Sequence, residues 1–153
     1  MTKKVVFSLG LLVVLLATFA FTVHEVKETE AEKEVKALIE KAYVNGAFNA
    51  LDPDAMRNGF HPDFAIFSAK GEAISKYPIG TWADGVAKRK SDPEFDAAKN
   101  KWDHNLASVD VTGGSAAVKI ELSHNGKHVY TDYLSLLKFE SGWKIVAKVY
   151  HKH

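Results

Sequence analysis

The chain of 153 residues contains no cysteine, so disulfide bonds cannot contribute to its stability. A lipoprotein anchor is excluded for the same reason, because that lipid is attached to a cysteine. The sequence also lacks a glycine-rich phosphate loop, a GxSxG nucleophile elbow and an HExxH zinc motif, and none of its seven histidines has facial-triad spacing. We therefore expect no metal site and no cofactor.

Neither sign of charge is in clear excess, with 20 Lys and Arg against 19 Asp and Glu. The formal net charge is +1, and the densest basic run is Lys88-Arg89-Lys90, which suits the end of a solvated helix. A chain with no longer basic block is not expected to bind nucleic acid.

The first twenty residues predict a signal peptide. Lys3 and Lys4 precede an apolar run over residues 5–16, and Thr18-Phe19-Ala20 provides small residues for cleavage. The run is short for a membrane span of about 20 residues, although an uncleaved anchor is the alternative. We expect a secreted or periplasmic protein that has no membrane association after cleavage.

Residues 21–153 predict a single domain of the α+β class. Apolar residues recur at spacings of three and four over residues 28–50, which indicates an amphipathic helix. Asp52 and Pro53 begin a short helix, and Pro78 begins another. Strands are expected at 64–68 and 72–77, a loop at 92–101 and four antiparallel strands over 102–150. About 130 residues are enough to bury one core.

The turns predict the register of the four C-terminal strands. A two-residue loop at Asn125-Gly126 would place Leu122 opposite Val129 and Ile120 opposite Thr131. A three-residue loop at Glu140-Ser141-Gly142 would pair the strands around it as follows: Phe139 with Trp143, Leu137 with Ile145, Ser135 with Ala147, and Tyr133 with Val149. Gly113-Gly114 would pair Val111 with Ala116 and Val109 with Val118.

This register divides the sheet into two faces. The inner face would carry Asn105, Thr131, Tyr133 and Ser135 among apolar residues. The outer face would carry Trp102, His104, Leu106, Lys119, Tyr130, Asp132, Leu134, Leu136, Val146, Lys148 and Tyr150. Because that outer face is too apolar to face only solvent, it predicts a homodimer contact.

Several segments together resemble the NTF2-like superfamily, which includes SnoaL-type cyclases and ketosteroid isomerases, and within it the branch described as "putative lumazine-binding". The segments are Asn49-Ala50-Leu51-Asp52-Pro53, Gly59-Phe60-His61-Pro62-Asp63-Phe64, Trp82 with Lys88-Arg89-Lys90, Trp102-Asp103-His104, residues 131–136 and residues 142–146. The resemblance implies a cone, in which a curved, mainly antiparallel sheet wraps around the N-terminal helices. Enzymes of this superfamily place acids and tyrosines inside the cone.

The resemblance and the predicted faces together suggest a ligand site. Tyr43 and Trp82 would point into the cone from helices, with His61 and Phe67 near its mouth. The expected ligand-binding residues are Tyr43, His61, Phe67, Trp82, Asn105, Thr131, Tyr133 and Ser135. Packing roles are the alternatives for His61 and Trp82, and the partner of the Tyr43 hydroxyl is either protein or ligand.

Catalytic candidates are His104, Asp132 and Tyr43, since SnoaL-type cyclases use an Asp and a His from comparable strands. The predicted register places Asp132 on the outer face in an ion pair with Lys119, and His104 on the same face. A bulge between Lys101 and Ala107 would reverse the orientation of His104.

Three functions follow from these expectations. The first is an exported domain that binds a small, largely apolar ligand in the cone. The second is an isomerase, cyclase or dehydratase that transfers protons there, which a carboxylate or histidine inside the cone near a tyrosine would favour. The third is a non-catalytic homodimer.

Overall fold

The computed structural model describes residues 28–153. The predicted signal peptide over residues 1–20 lies outside this range, so cleavage and export remain predictions. Between residues 28 and 153, no helix has the length and apolar character needed to cross a membrane.

The N-terminal half supplies the three helices of the cone. Helix α1, Glu30–Leu38, begins with a capping box in which Thr29 and Glu32 satisfy each other's backbone N–H groups. It continues without a break into a π-helical segment, Ile39–Asn49. Helix α2, Pro53–Gly59, has Asp52 as its N-cap, as predicted, and helix α3 spans Ile79–Lys90.

The π-helical segment changes which side chains share a face of the first helix. In an α-helix, residues three and four apart are neighbours, whereas the wider π-turn aligns residues about five apart. Tyr43 and Phe48 are five apart, both are buried, and their ring centroids lie 5.4 Å from each other. The wider helix thus directs two large rings into the same part of the core.

Six strands form one sheet in the order β2-β1-β6-β5-β4-β3. Their bounds are β1 Phe60–Lys70, β2 Ala73–Pro78, β3 Trp102–Thr112, β4 Ser115–His124, β5 Lys127–Phe139 and β6 Gly142–Lys152. Strands β1 and β6 run parallel and all other neighbours run antiparallel. The structure confirms the predicted α+β cone with a curved, mainly antiparallel sheet.

The core lies between the helices and the inner face of this sheet. Its largest fully buried side chains include Tyr43, Phe60 and Phe64 from the first half of the chain and Ile120, Leu134 and Ile145 from the meander. These apolar side chains provide the main stabilisation of a chain without disulfides.

The predicted register of the meander was partly wrong. The pairs of Val111 with Ala116 and of Val109 with Val118 are present. In the next hairpin the Asn125-Gly126 loop is also as predicted, with His124 opposite Lys127 and Ser123 opposite His128. A bulge then places Leu122 opposite Tyr130 and Ile120 opposite Asp132. Because one extra residue reverses the alternation, the rest of β5 faces the opposite way from the prediction.

The last hairpin contains two deviations that compensate each other. Phe139 pairs with Gly142, so the loop is one residue shorter than predicted, and Leu136 rather than Leu137 lies opposite Ile145. A second register shift, after Ser135, restores the predicted pairs of Ser135 with Ala147 and of Tyr133 with Val149. As a result, both Ile145 and Lys148 point inward.

Gly59 provides a test of how α2 packs on the first helix. A Cβ at this position would lie 2.2 Å from Cβ of Ala42. Gly59 is not among the residues with positive φ, so close approach to the first helix, rather than a left-handed cap, explains the glycine. We expect Gly59→Ala to lower the free energy of unfolding by about 3 kcal/mol.

Urea denaturation measures this change, and Gly80→Ala is the matched control. No heavy atom lies within 4 Å of a Cβ built on Gly80, in the first turn of α3. This control should stabilise the fold by about 0.5–1 kcal/mol, because alanine is the better helix former. Equal effects of the two substitutions would contradict the packing described here.

Candidate functional site

A cavity of about 460 Å³ opens between the helices and the sheet. Its walls come from the π-helical segment, α3, β1, β2 and the ends of β3, β5 and β6 that lie nearest to them. The lining residues are Ala47, Phe48, Ile66, Ser68, Tyr77, Trp82, Gly85, Val86, Arg89, Trp102, Tyr130, Lys148 and Tyr150. The volume falls within the range of small-molecule sites, about 300–1,000 Å³.

A buried network of three polar side chains stands behind one wall of this cavity. Nζ of Lys148 donates hydrogen bonds to the Tyr43 hydroxyl at 2.7 Å and to Oδ2 of Asp132 at 3.0 Å. The Tyr43 hydroxyl donates to the same Oδ2. Lys148 alone of the three lines the cavity, so it would contact a ligand while Asp132 and Tyr43 hold it from behind.

Burial of this network is almost complete. Tyr43 and Asp132 are 0% exposed and Lys148 is 5% exposed. Among the described residues, no group donates a hydrogen bond to Oδ1 of Asp132. A buried charge is costly unless it is paired, so the Asp132–Lys148 ion pair is the condition under which both residues can remain inside.

Burial also changes the proton affinities of the network. Desolvation lowers the pKa of Lys148 below its ordinary value of 10.5, although the Asp132 carboxylate opposes the shift. Desolvation and then the Asp132 charge raise the pKa of Tyr43 well above 10.0. Tyr43 therefore stays a protonated donor, while Lys148 loses its proton more easily than a lysine in water.

Aromatic rings surround the Lys148 amine. Its Nζ lies 5.1–5.8 Å from the ring centroids of Tyr43, Phe48, Trp82, Tyr130 and Tyr150. Such contacts favour a cation and also exclude water from it. These rings therefore shield the amine from bulk water, while Lys148 itself lines the cavity.

Arg89 is the second cationic residue of the cavity. It lies in the last turn of α3, and its Nη2 donates to the carbonyl oxygen of Ala47 at 2.8 Å. Its other guanidinium donors remain available for an oxygen of a ligand. Since Asp132 lies behind Lys148, the groups presented to a ligand are mainly cationic and aromatic.

Three of the predicted site residues are close together. Trp82 lines the cavity, and its ring centroid lies 6.1 Å from that of Tyr43. Asp132 is bonded to Tyr43 inside the cone, whereas the sequence placed it on the outer face opposite Lys119. The bulge at Val129, between the pairs Ser123–His128 and Leu122–Tyr130, is the cause, and Tyr133 occupies the position opposite Lys119 instead.

The other predicted ligand-binding residues lie outside the cavity wall. His61 stacks on Phe139, and Phe67 lies between the two cavity residues Ile66 and Ser68, so it points to the opposite face. Four residues that were expected inside lie on the outer face: Asn105, Thr131, Tyr133 and Ser135. The Asn105 side chain forms a hydrogen bond with Glu121. The Thr131 hydroxyl forms hydrogen bonds with His128 and His153.

His104 is on the inner face but away from the cavity. A register shift between Leu106 and Ser108 reverses the strand, as the predicted alternative allowed, and His104 pairs with Leu122. Its Nε2 lies 2.9 Å from a carboxylate oxygen of Glu40 on the first helix. This contact joins helix to sheet and leaves His104 outside the Lys148 network.

Lys148, Arg89, Tyr130 and Tyr150 are the site residues that sequence reasoning missed. Lys148 was assigned to the outer face because the register of β6 was taken from that of β5. The alternation of Asp132 with Leu134 and Leu136 was the available signal, because two leucines on one side of a strand favour that side as the buried one.

Comparisons with known proteins agree with this architecture. A family model described as "Putative lumazine-binding" matches residues 30–151. An NTF2-like protein of unknown function from Shewanella baltica OS155 superposes with a TM-score of 0.62 at 26% identity, over 83% of this chain and 98% of that one. Another NTF2-like protein of unknown function, from Silicibacter pomeroyi DSS-3, superposes with a TM-score of 0.63 at 23% identity. The match covers 82% of this chain and 100% of that one.

A curated protein from Cladobotryum sp, named Aldolase FrzH, is 29% identical to this chain over 98 residues. The match covers 63% of this chain and 73% of that protein.

The buried ion pair can be tested by a double-mutant cycle. We expect Asp132→Asn or Lys148→Met alone to lower the free energy of unfolding by about 3–5 kcal/mol, since each leaves one buried charge unpaired. The double variant should lose less stability than the sum of the two single losses. Denaturant titrations should give a coupling energy of about 2–3 kcal/mol between the two residues.

The Glu34–Lys138 pair is the matched control. Its N–O distance is also 3.0 Å, but both side chains are exposed to solvent. The cycle with Glu34→Gln and Lys138→Met should give a coupling close to the error of measurement. Additive effects at Asp132 and Lys148 would contradict the network.

Proposed function

Because the chain belongs to the family described as "putative lumazine-binding", within the NTF2-like superfamily, we propose that it binds a small molecule in its cavity and transfers a proton on it. The observation that carries this proposal is the buried Tyr43–Asp132–Lys148 network at the cavity wall. A carboxylate inside the cone next to a tyrosine was the feature expected of an enzyme.

The lining suggests the kind of molecule that binds. Phe48, Trp82, Trp102, Tyr130 and Tyr150 provide flat apolar surfaces, which suit a planar, unsaturated or aromatic ligand. Lys148 and Arg89 supply donors for its oxygens. A carbonyl compound, with or without a carboxylate, fits this combination.

Lys148 is the group that would handle the proton. Two of its three ammonium N–H groups are engaged by Tyr43 and Asp132, which leaves one to donate to a ligand oxygen. If Asp132 takes one proton, the neutral amine can act as a base toward a carbon next to the carbonyl. The lowered pKa of Lys148 makes that exchange easier near neutral pH.

The relative from Cladobotryum sp supports the same class of chemistry. Its name is that of an aldolase, and aldol reactions begin with loss of a proton from carbon next to a carbonyl. Isomerisation and dehydration of carbonyl compounds share this step, so the proposal covers the group of reactions.

A ligand-binding domain without catalysis is the second candidate. The two hydrogen bonds that Oδ2 of Asp132 accepts, from Tyr43 and Lys148, favour it, because a buried ion pair can simply shape a pocket. The two candidates differ in whether a bound carbonyl compound exchanges protons with the protein.

Deuterium exchange distinguishes them. A panel of small aromatic and cyclic ketones and keto acids is first screened by thermal shift, and each binder is followed by proton NMR in D₂O. We expect exchange at the carbon next to the carbonyl to be at least about 100-fold faster than in buffer. Lys148→Met should reduce it to the buffer rate.

Lys152→Met is the control for that substitution, since Lys152 lies on the same strand and is exposed. It should retain the wild-type exchange rate. Binding without exchange would leave the non-catalytic domain as the function, and a panel in which nothing binds would contradict both candidates.

A homodimer through the outer sheet face is part of the same proposal. The residues on that face differ from those predicted, but it exposes large apolar side chains: Tyr133 is 50%, Val149 49% and Leu137 41% exposed. A second copy of the chain would cover this patch.

Light scattering coupled to size exclusion tests the dimer. We expect a dimer at micromolar concentration, and Val149→Lys should weaken it at least about 30-fold by placing an unpaired charge in the contact. Ala97→Lys, in the exposed loop before β3, should leave it intact. A wild-type protein that remains monomeric would exclude the dimer.

A further inference from the structure

We propose that Lys148 acts as a nucleophile and forms a covalent imine with aldehydes or ketones that enter the cavity. This inference rests on the proposed function, since it uses the same amine, but it goes further in naming a covalent intermediate and the substrate class. General base chemistry by Lys148 would not require a carbon–nitrogen bond.

Access to the amine supports a covalent role. Lys148 lines a cavity of about 460 Å³, which is large enough for an aromatic aldehyde. The rings of Tyr43, Trp82 and Tyr150 lie around its Nζ and shield it from bulk water. A lysine whose only role was to neutralise Asp132 would not need to border the cavity.

The side chains behind the amine provide for its activation. An ammonium must lose a proton before it can attack, and Oδ2 of Asp132, 3.0 Å from Nζ, is placed to accept it. Tyr43 holds the nitrogen through a 2.7 Å hydrogen bond and keeps its own proton. Desolvation favours the neutral amine, the form that reacts with carbonyl carbon.

The proposed steps balance. The neutral amine attacks the carbonyl carbon, a C–N bond forms, and the carbonyl electron pair moves to oxygen, which takes a proton from the attacking nitrogen and gives a carbinolamine. The nitrogen lone pair then forms the C=N bond and expels the hydroxyl, which leaves as water with the proton that Asp132 returns. One carbonyl compound and the ammonium group thus give one protonated imine, beside the Asp132 carboxylate, and one water.

Reductive trapping tests the proposal. The protein is incubated with benzaldehyde or cyclohexanone and sodium cyanoborohydride, which reduces an imine to a stable secondary amine, and peptides are mapped by mass spectrometry. We expect Lys148 to be labelled at least about tenfold faster than the surface lysines of the same chain. In the Lys148→Met variant, the peptide that contains position 148 should stay unlabelled.

The pH profile provides a readout that does not depend on a variant. Labelling of Lys148 should rise through a midpoint below the ordinary lysine value of 10.5, because burial lowers its pKa. A midpoint at or above 10.5, or labelling at Lys148 no faster than at the surface lysines, would overturn the proposal.

Its failure can be told apart from failure of the proposed function. Deuterium exchange that depends on Lys148, without a trapped adduct, leaves a non-covalent acid–base enzyme and removes the imine. Absence of both exchange and adduct removes the enzyme as well.

Discussion

The ion pair between Asp132 and Lys148 is the interaction on which the site depends. Each charge is tolerated inside the cone because the other lies 3.0 Å away, and Tyr43 donates to the same carboxylate oxygen. The two charged residues lie on neighbouring strands, so the pair also fixes how β5 and β6 face the helices. Stability, register and chemistry therefore share one set of contacts.

Irregular backbone brings these three side chains together. The bulge at Val129 turns Asp132 inward, the register shift after Ser135 turns Lys148 and Ile145 inward together, and the π-helical segment aligns Tyr43 with Phe48. Bulges and π-turns are common next to functional sites because they redirect single side chains. In this cone, three such features converge on one amine.

Much of the fold could be predicted from sequence because local signals determine it. Asp52 with Pro53 indicated a helix start, Asn125-Gly126 indicated a hairpin, and both are present. The site was harder to predict, because a bulge leaves no distinct residue signature yet reverses every side chain beyond it. Asp132 opposite a lysine on an outer face was a reasonable expectation from a regular ladder. Only its burial beside Leu134 and Leu136, together with Tyr43, reveals the network.

A buried, desolvated lysine is the central claim, and NMR of ¹⁵N-labelled lysine side chains tests it most directly. We expect one amine whose protons exchange slowly with water and whose nitrogen titrates below 10.5. A spectrum in which every lysine amine exchanges rapidly with water and none titrates below 10.5 would contradict the account.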